Sequence, residues 1–277
     1  MRFLRTLIAE AEQMLFAPAK TCYLCERPLR PPVLPWPSLI DEVLMSFCPT
    51  CLRRIPWVVP PFCERCGRPV AGDEALCPIC HSGAETLKGR SLAVYDGVIK
   101  RLLDDVSVKG VRELADPLGY LIGVVAEELV RDWGSFVIVP VPLHSERLVE
   151  RGFNQADLLA ASAARVLRRP VWGDVLERKK ATSPQNRLSV SERRINMAGA
   201  FAVTRPDRVA NGRFLLIDDV HTTGATLSEA AAALMRAGAA EVRFVTVGVA
   251  VALKDMLDLP GSGQEENGEK HRKGSGK

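Results

Sequence analysis

Asp218 and Asp219 stand side by side, and Thr222, Thr223, Gly224, Ala225 and Thr226 follow closely. Paired carboxylates accept hydrogen bonds from sugar hydroxyls, directly or through a hydrated Mg²⁺. A hydroxyl- and glycine-rich turn that enters a helix presents free N–H groups and the positive end of the helix dipole, which suits a phosphate. Gly224 lets the backbone approach a ligand with no Cβ in the way. The ligand this chemistry suits is a ribose carrying a phosphate. Taken apart, the acidic pair reads as a strand end in solvent and Thr-Thr-Gly as a helix cap. The order of residues 214–226 as a whole is what points to a ligand.

The elements that must position these groups are legible on both sides. Phe214–Ile217 is an uninterrupted apolar run, the pattern of a strand buried on both faces. Ala225, Leu227, Ala230, Ala231, Leu234 and Met235 recur at helical spacing, so a helix is expected from Thr223–Gly224 to Gly238. The acidic pair then falls at the carboxyl end of a strand, where open α/β sheets bind ligands. A Walker A loop is excluded because no lysine follows the glycine, and the dinucleotide G-x-G-x-x-G spacing is absent.

Other groups fit an anionic ligand. Arg147 and Arg151 are four apart and share one face if that segment is helical. They follow Val-Pro-Val-Pro-Leu, where the prolines end the strand expected over Phe136–Val141. A guanidinium pair beside a stiff loop suits pyrophosphate; the alternative is an exposed pair balanced by Glu146 and Glu150. Asn154 is a candidate cap for a helix through Arg168. From Glu177 the chain turns cationic, with Arg178, Lys179, Lys180, Arg187, Arg193 and Arg194, and reads either as a lid over an anionic substrate or as a plain basic loop. Further strands are expected at Ser91–Tyr95, Val171–Leu176, Ala200–Val203 and Val242–Leu253. Helices are expected at Val98–Leu103 and Leu114–Val130. This alternation is typical of a parallel α/β sheet.

All eight cysteines fall in four Cys-x-x-Cys pairs: Cys22/Cys25, Cys48/Cys51, Cys63/Cys66 and Cys77/Cys80. Each pair puts two thiolates on one turn, and two turns make a tetrahedral zinc site. Sequential pairing gives two stacked ribbons, Cys22, Cys25, Cys48, Cys51 and Cys63, Cys66, Cys77, Cys80; interleaved pairing is the alternative. The segment is rich in proline and poor in regular apolar repeats, so it needs metal to fold. Arg53, Arg54, Arg65 and Arg68, with Trp57 and Phe62, form a candidate basic-aromatic surface for single strands; the alternative is an ordinary solvated face.

The 277 residues, 47% apolar and 25% charged, suffice for one large domain or two modest ones. A net charge of +4 is too mild to argue for nucleic acid by itself. No segment is apolar and long enough to span a bilayer. Met1–Ala19 reads as an amphipathic helix rather than a signal, so a cytoplasmic location is expected. Gly83–Gly89 reads as a linker, and Pro260–Lys277 as a disordered tail.

Residues 214–226 closely resemble the phosphoribosyl-pyrophosphate (PRPP) motif of type I phosphoribosyltransferases. The resemblance implies that Asp218 and Asp219 hold the ribose 2′ and 3′ hydroxyls and that Thr222–Thr226 hold the 5′-phosphate. With the four cysteine pairs, Tyr95-Asp-Gly97, Val139–Leu143, Arg147, Arg151–Gln155, Thr182, Pro184-Gln185, Arg194 and Asn196, the chain resembles the ComF family from Cys22 to about Val247. That resemblance implies a type I phosphoribosyltransferase-like parallel sheet flanked by helices over residues 90–253, after a double zinc ribbon over 20–82. A helix over 1–19 and a tail over 254–277 complete the expected organisation. It implies two structural Zn²⁺, Mg²⁺ bound with PRPP, and a flexible hood over 178–199. It also implies a role in natural competence and single-stranded DNA uptake, with a helicase-like partner in some bacteria. A catalytic reading makes Asp218, Asp219, Arg147 and Arg151 the groups that position PRPP while an unknown acceptor displaces pyrophosphate. The family commonly has Lys-Tyr where Ser107-Val108 stands here, with Lys109 beyond.

Overall fold

A computed structural model describes residues 21–29, 46–83, 87–180 and 197–251. The helix expected over 1–19, most of the expected hood and the tail lie outside the described residues. Two one-turn helices, α1 (Pro49–Leu52) and α2 (Pro78–His81), belong to the cysteine-rich segment. Then come β1 (Lys88–Val94), α3 (Gly97–Ser107), a 3₁₀ turn (Arg112–Leu114), α4 (Ala115–Leu129) and β2 (Val137–Pro140). They are followed by α5 (Ser145–Arg151), α6 (Gln155–Leu167), β3 (Leu176–Arg178), β4 (Phe201–Val203) and α7 (Pro206–Val209). The motif strand β5 (Arg213–His221), α8 (Ala225–Arg236) and β6 (Glu241–Val249) close the described chain.

Four strands make one parallel sheet in the order β1-β6-β5-β2. Both faces are covered, as parallel sheets require. Strict alternation divides the side chains. Leu215 and Ile217 of β5, Val245 and Val247 of β6 and Ile138 of β2 join the core beneath α3, α4 and α6. Phe214, Leu216, Val242, Phe244 and Val139 join the other core, with α8, β4 and the second cysteine group. Asn154 caps α6 as expected, accepting from the Ala156 amide at 3.2 Å.

Three expectations change. Val171–Leu176 is not a strand of the sheet. Only Val171 bridges to Ile138; Trp172 then packs on Phe214 at 6.2 Å and the chain turns at Gly173-Asp174. Leu176–Arg178 instead pairs antiparallel with Phe201–Val203, apart from the main sheet. Lys88 and Gly89, expected in a linker, already belong to β1. Strand β5 runs past Ile217 to His221, so the acidic pair lies within it. Among the described residues no helix is long and apolar enough to cross a membrane.

Helices α4 and α6 meet closely. A methyl at Gly119 would lie 2.6 Å from both the Leu159 carbonyl oxygen and the Ser162 Cβ. Alanine is the better helix former by about 1 kcal/mol. Overpacking costs about 1–3 kcal/mol, and a backbone oxygen cannot rotate away. Gly119→Ala is therefore expected to lower the melting temperature, by about 2–4 °C per kcal/mol lost, in thermal denaturation followed by circular dichroism.

Candidate functional site

The acidic pair sits where β5 loses its alternation. Ile217 and Val220 pack on the same core, so the pattern slips in phase across Asp218 and Asp219. The carboxylates explain the slip. Asp218 Oδ1 accepts from the Asp219 amide at 2.9 Å, and Asp219 Oδ1 accepts from the Val220 amide at 2.7 Å. Side chains thus take backbone donors that a regular ladder would use.

Neighbouring elements hold the pair. Gln155, the first residue of α6, is buried and donates through Nε2 to Asp219 Oδ2 at 2.9 Å. Arg151 at the end of α5 donates to Gln155 Oε1 at 3.1 Å, so Arg151, Gln155 and Asp219 form one chain. Asn154 ties α6 to the Pro-Val-Pro loop, donating to the Val141 carbonyl at 3.1 Å. Burial, and then the charge of Asp219, push the Asp218 carboxyl well above the ordinary carboxylate range. The charge of Arg178, on β3, opposes that shift.

These groups line one cleft of about 380 Å³, an ordinary size for a small-molecule site. Asp218, Asp219, Arg147, Arg151, Thr222 and Thr226 all border it. Thr223, Gly224 and Ala225 form the turn between the two threonines, with Gly224 left-handed at φ 78° as the cap of α8. Three further lining residues, Tyr95, Gln155 and Arg178, were not singled out as site residues from the sequence. Gln155 carries a usable signal, because a residue just after a cap can face the end of a neighbouring strand. Arg178 counted only as one of the hood cations. Ser107 and Val108, which depart from the family pattern, also border the cleft. Lys109 pairs with Asp105 at 2.7 Å and borders an adjoining cleft that shares Arg147 and Arg151.

The cysteines group sequentially, Cys22, Cys25, Cys48, Cys51 and Cys63, Cys66, Cys77, Cys80, each set with its sulfurs within 4.8 Å of one another. Cys25 and Cys48 sulfurs are 3.7 Å apart, and Cys66 and Cys77 sulfurs 3.6 Å. Four sulfurs at about 2.3 Å from a tetrahedral zinc would be about 3.8 Å apart, so both groups fit the ion. The two groups do not stack on each other. Phe47 and Ile55 of the first join the core under α3 and α4, while the cysteines of the second join the opposite core. The basic-aromatic surface expected here is largely consumed within the protein. Arg68 is buried, Arg65 donates to the Cys80 carbonyl at 3.1 Å, and Trp57 donates to the Leu52 carbonyl at 3.1 Å. Arg90 stacks on Phe62 at 4.5 Å, which leaves Arg53 and Arg54 exposed.

Comparison with known proteins agrees with this geometry. The phosphoribosyl transferase domain family matches residues 122–254. DNA utilization protein YhgH of Escherichia coli K12 is 32% identical over 201 residues, 65% of this chain and 87% of the relative. The chain belongs to the ComF/YhgH family. The YhgH protein of Salmonella typhimurium is 31% identical over 226 residues, covering 80% of this chain and 93% of its own. Competence protein ComFC of Bacillus subtilis is 28% identical over 230 residues, covering 79% and 90%. The matched region thus holds the acidic pair, the turn and strands β2, β5 and β6, while β1 and the two four-cysteine groups precede it.

The raised Asp218 carboxyl has a consequence for stability. Between the ordinary value of 3.8 and the raised folded value, the folded chain keeps a proton that the unfolded chain releases. Stability therefore falls as pH rises through that interval. Asp218→Asn removes the ionisation and is expected to raise the melting temperature of ligand-free protein at neutral pH, by about 2–4 °C per kcal/mol relieved. It should also flatten the pH dependence. A melting temperature that does not fall as pH rises from the ordinary carboxylate range would contradict the raised Asp218 carboxyl.

Proposed function

We propose that the cleft binds PRPP or a related ribose phosphate and that the protein serves natural competence or single-stranded DNA uptake. The observation that carries the binding reading is the acidic pair, held by Gln155 and followed by the Thr222–Thr226 turn, in one cleft with three arginines. In this reading Asp218 and Asp219 accept from the ribose 2′ and 3′ hydroxyls, and the turn from Thr222 through Thr223, Gly224 and Ala225 to Thr226 takes the 5′-phosphate. Arg147, Arg151 and Arg178 face the pyrophosphate. The carboxylate pair also suits a hard cation, since two half-buried, mutually repelling carboxyls gain from one. When bound, Mg²⁺ supplies positive charge to the pyrophosphate oxygens. Zinc in the two cysteine groups supplies folding free energy to the 20–82 module, ahead of a phosphoribosyltransferase-like unit over 90–253.

The biological setting is drawn from the relatives, which are named for DNA utilization and competence. Single-stranded DNA and a helicase-like protein are the partners that the ComF resemblance implies. The acidic pair argues against a DNA backbone in the cleft itself, because deoxyribose offers no diol and two carboxylates repel phosphates. DNA would then use other surfaces. Its affinity should fall steeply with salt, because phosphate contacts release counterions.

A second reading, transfer chemistry, is favoured by the placement of Arg147 and Arg178 in the same cleft as the acidic pair. A nucleophile would form a bond to the ribose C1 as the C1–O bond to pyrophosphate breaks, and pyrophosphate would leave with the bonding pair. The arginines would stabilise that departing charge. Pyrophosphate release across a panel of nucleobases and amines tests this reading; none from any acceptor would refute it.

The binding reading is tested by thermal denaturation of zinc-loaded protein with and without Mg²⁺-PRPP. A ligand at a hundred times its dissociation constant should stabilise the fold by about 2.7 kcal/mol. The wild type should shift, and the Asp218→Asn/Asp219→Asn variant should not. No shift in well-folded wild type would refute PRPP binding.

A further inference from the structure

The second cysteine group lies against the back of the ribose-phosphate turn, and one buried side chain joins them. Arg68 is only two residues beyond Cys66 and is 6% exposed. Its guanidinium donates through Nη1 to the Ala250 carbonyl and through Nη2 to the Thr222 carbonyl. Nη2 is also 3.4 Å from Nε2 of the fully buried His221. Arg68 therefore bridges the carboxyl ends of β5 and β6, and it does so at the first residue of the turn. A planar fork of donors suits two fixed carbonyls better than a flexible ammonium does.

The base of Arg68 is equally fixed. The Cys63 amide donates to the Arg68 carbonyl at 2.6 Å, and the Gly67 amide to the Cys63 carbonyl at 2.9 Å, closing the cysteine knuckle. Gly67 is left-handed at φ +73°, and a Cβ there would lie 2.8 Å from the Arg90 Cα and 2.9 Å from the Gly89 carbonyl oxygen. The knuckle therefore seats directly on the backbone of β1, and the Gly89 amide bonds to the Arg65 carbonyl at 2.8 Å. Four thiolates around one divalent ion carry net negative charge, a favourable neighbour for a buried guanidinium whose bonded oxygens are neutral carbonyls.

We propose that Arg68 is a positioning residue of the ribose-phosphate turn, and that metal in the second cysteine group keeps it in place. The peptide plane after Thr222 is rigid and trans, so a carbonyl held toward Arg68 turns the Thr223 N–H away from the module. Fixing that plane before the ligand arrives lowers the ordering cost of phosphate binding. The consequence for affinity rests on reading Thr222–Thr226 as the phosphate turn; the consequence for the turn's own order does not.

The test is amide hydrogen exchange on the ligand-free, zinc-loaded full chain, comparing wild type, Arg68→Met, Arg68→Lys and Cys77→Ser. Arg68→Met should keep both zinc equivalents, measured by metal release to a chromogenic chelator. It should speed exchange in the peptide spanning residues 222–226 by about tenfold, the equivalent of about 1.4 kcal/mol. Exchange in residues 115–129 should be unchanged. Arg68→Lys should recover part of the protection. If Arg68→Met loses zinc, the lysine variant carries the comparison with wild type. Cys77→Ser should speed exchange in the same peptide, and combining it with Arg68→Met should add little, because both break one linkage. Unchanged exchange at 222–226 in zinc-bound Arg68→Met, or full additivity with Cys77→Ser, would overturn the proposal. Mg²⁺-PRPP affinity is measured in parallel and should weaken about tenfold in Arg68→Met. Absence of PRPP binding to wild type would overturn the ribose-phosphate reading, while the exchange result would still decide the role of Arg68.

Discussion

Two adjacent carboxylates near the end of a strand covered on both faces are costly unless each finds partners. The surroundings of Asp218 and Asp219 are arranged to meet that requirement. Each carboxylate bonds the next backbone amide, and those bonds displace the side-chain alternation of β5. Gln155 reaches in from α6, and its amide oxygen is in turn held by Arg151. Arg178 contributes charge from the β3–β4 hairpin. The shift of Asp218 toward its neutral form means that the ligand-free partners only partly satisfy the pair. Carboxyls perturbed by burial and a like charge cluster at binding and catalytic sites, which marks this pair as a candidate one.

The central elements were legible because each has a sequence signature set by geometry. Phe214–Ile217 is apolar throughout and Val242–Val249 mostly so, broken by Arg243 and Thr246, as suits strands covered on two faces, and 225–235 carries the helical period. Spacing shows four two-thiolate turns and hence two candidate metal sites, but it leaves sequential and interleaved pairing open; the structure has the sequential grouping. Partner choice was not legible. Val171–Leu176 has strand-like residues, but composition does not say whether they extend a sheet, and Gly173-Asp174 diverts the chain into a separate hairpin. Charge at Asp218-Asp219 marks a strand end in the sequence, whereas in the structure the carboxylates accept from backbone amides and the strand continues through them.

Arginines were the least legible class. Arg53, Arg54, Arg65 and Arg68 look alike in a proline-rich, cationic segment, yet only the first two are exposed. A long side chain with a planar head can lie along a surface or close a gap between backbone carbonyls. The choice depends on contacts far apart in sequence. Arg68 meets Thr222 and Ala250 across the whole phosphoribosyltransferase domain, and no local pattern records that meeting.

The cysteine-rich segment solves a problem that the sheet creates. In the order β1-β6-β5-β2, β1 is an edge, and an open edge offers unpaired backbone groups. Residues 56–58 run along it: the Val58 amide bonds to the Leu92 carbonyl at 3.0 Å, the Val94 amide to the Pro56 carbonyl at 2.8 Å, and Trp57 bridges to Ala93. The first cysteine group then packs with one core and the second with the other, so the segment folds around the edge. The segment is short, proline-rich and poor in regular apolar repeats, and the two four-cysteine groups, whose geometry is compatible with structural zinc, stand at the two ends of this wrap. The wrap also sets the second group behind the Thr222–Thr226 turn, because the face it covers is the one on which the ends of β5 and β6 lie open to Arg68.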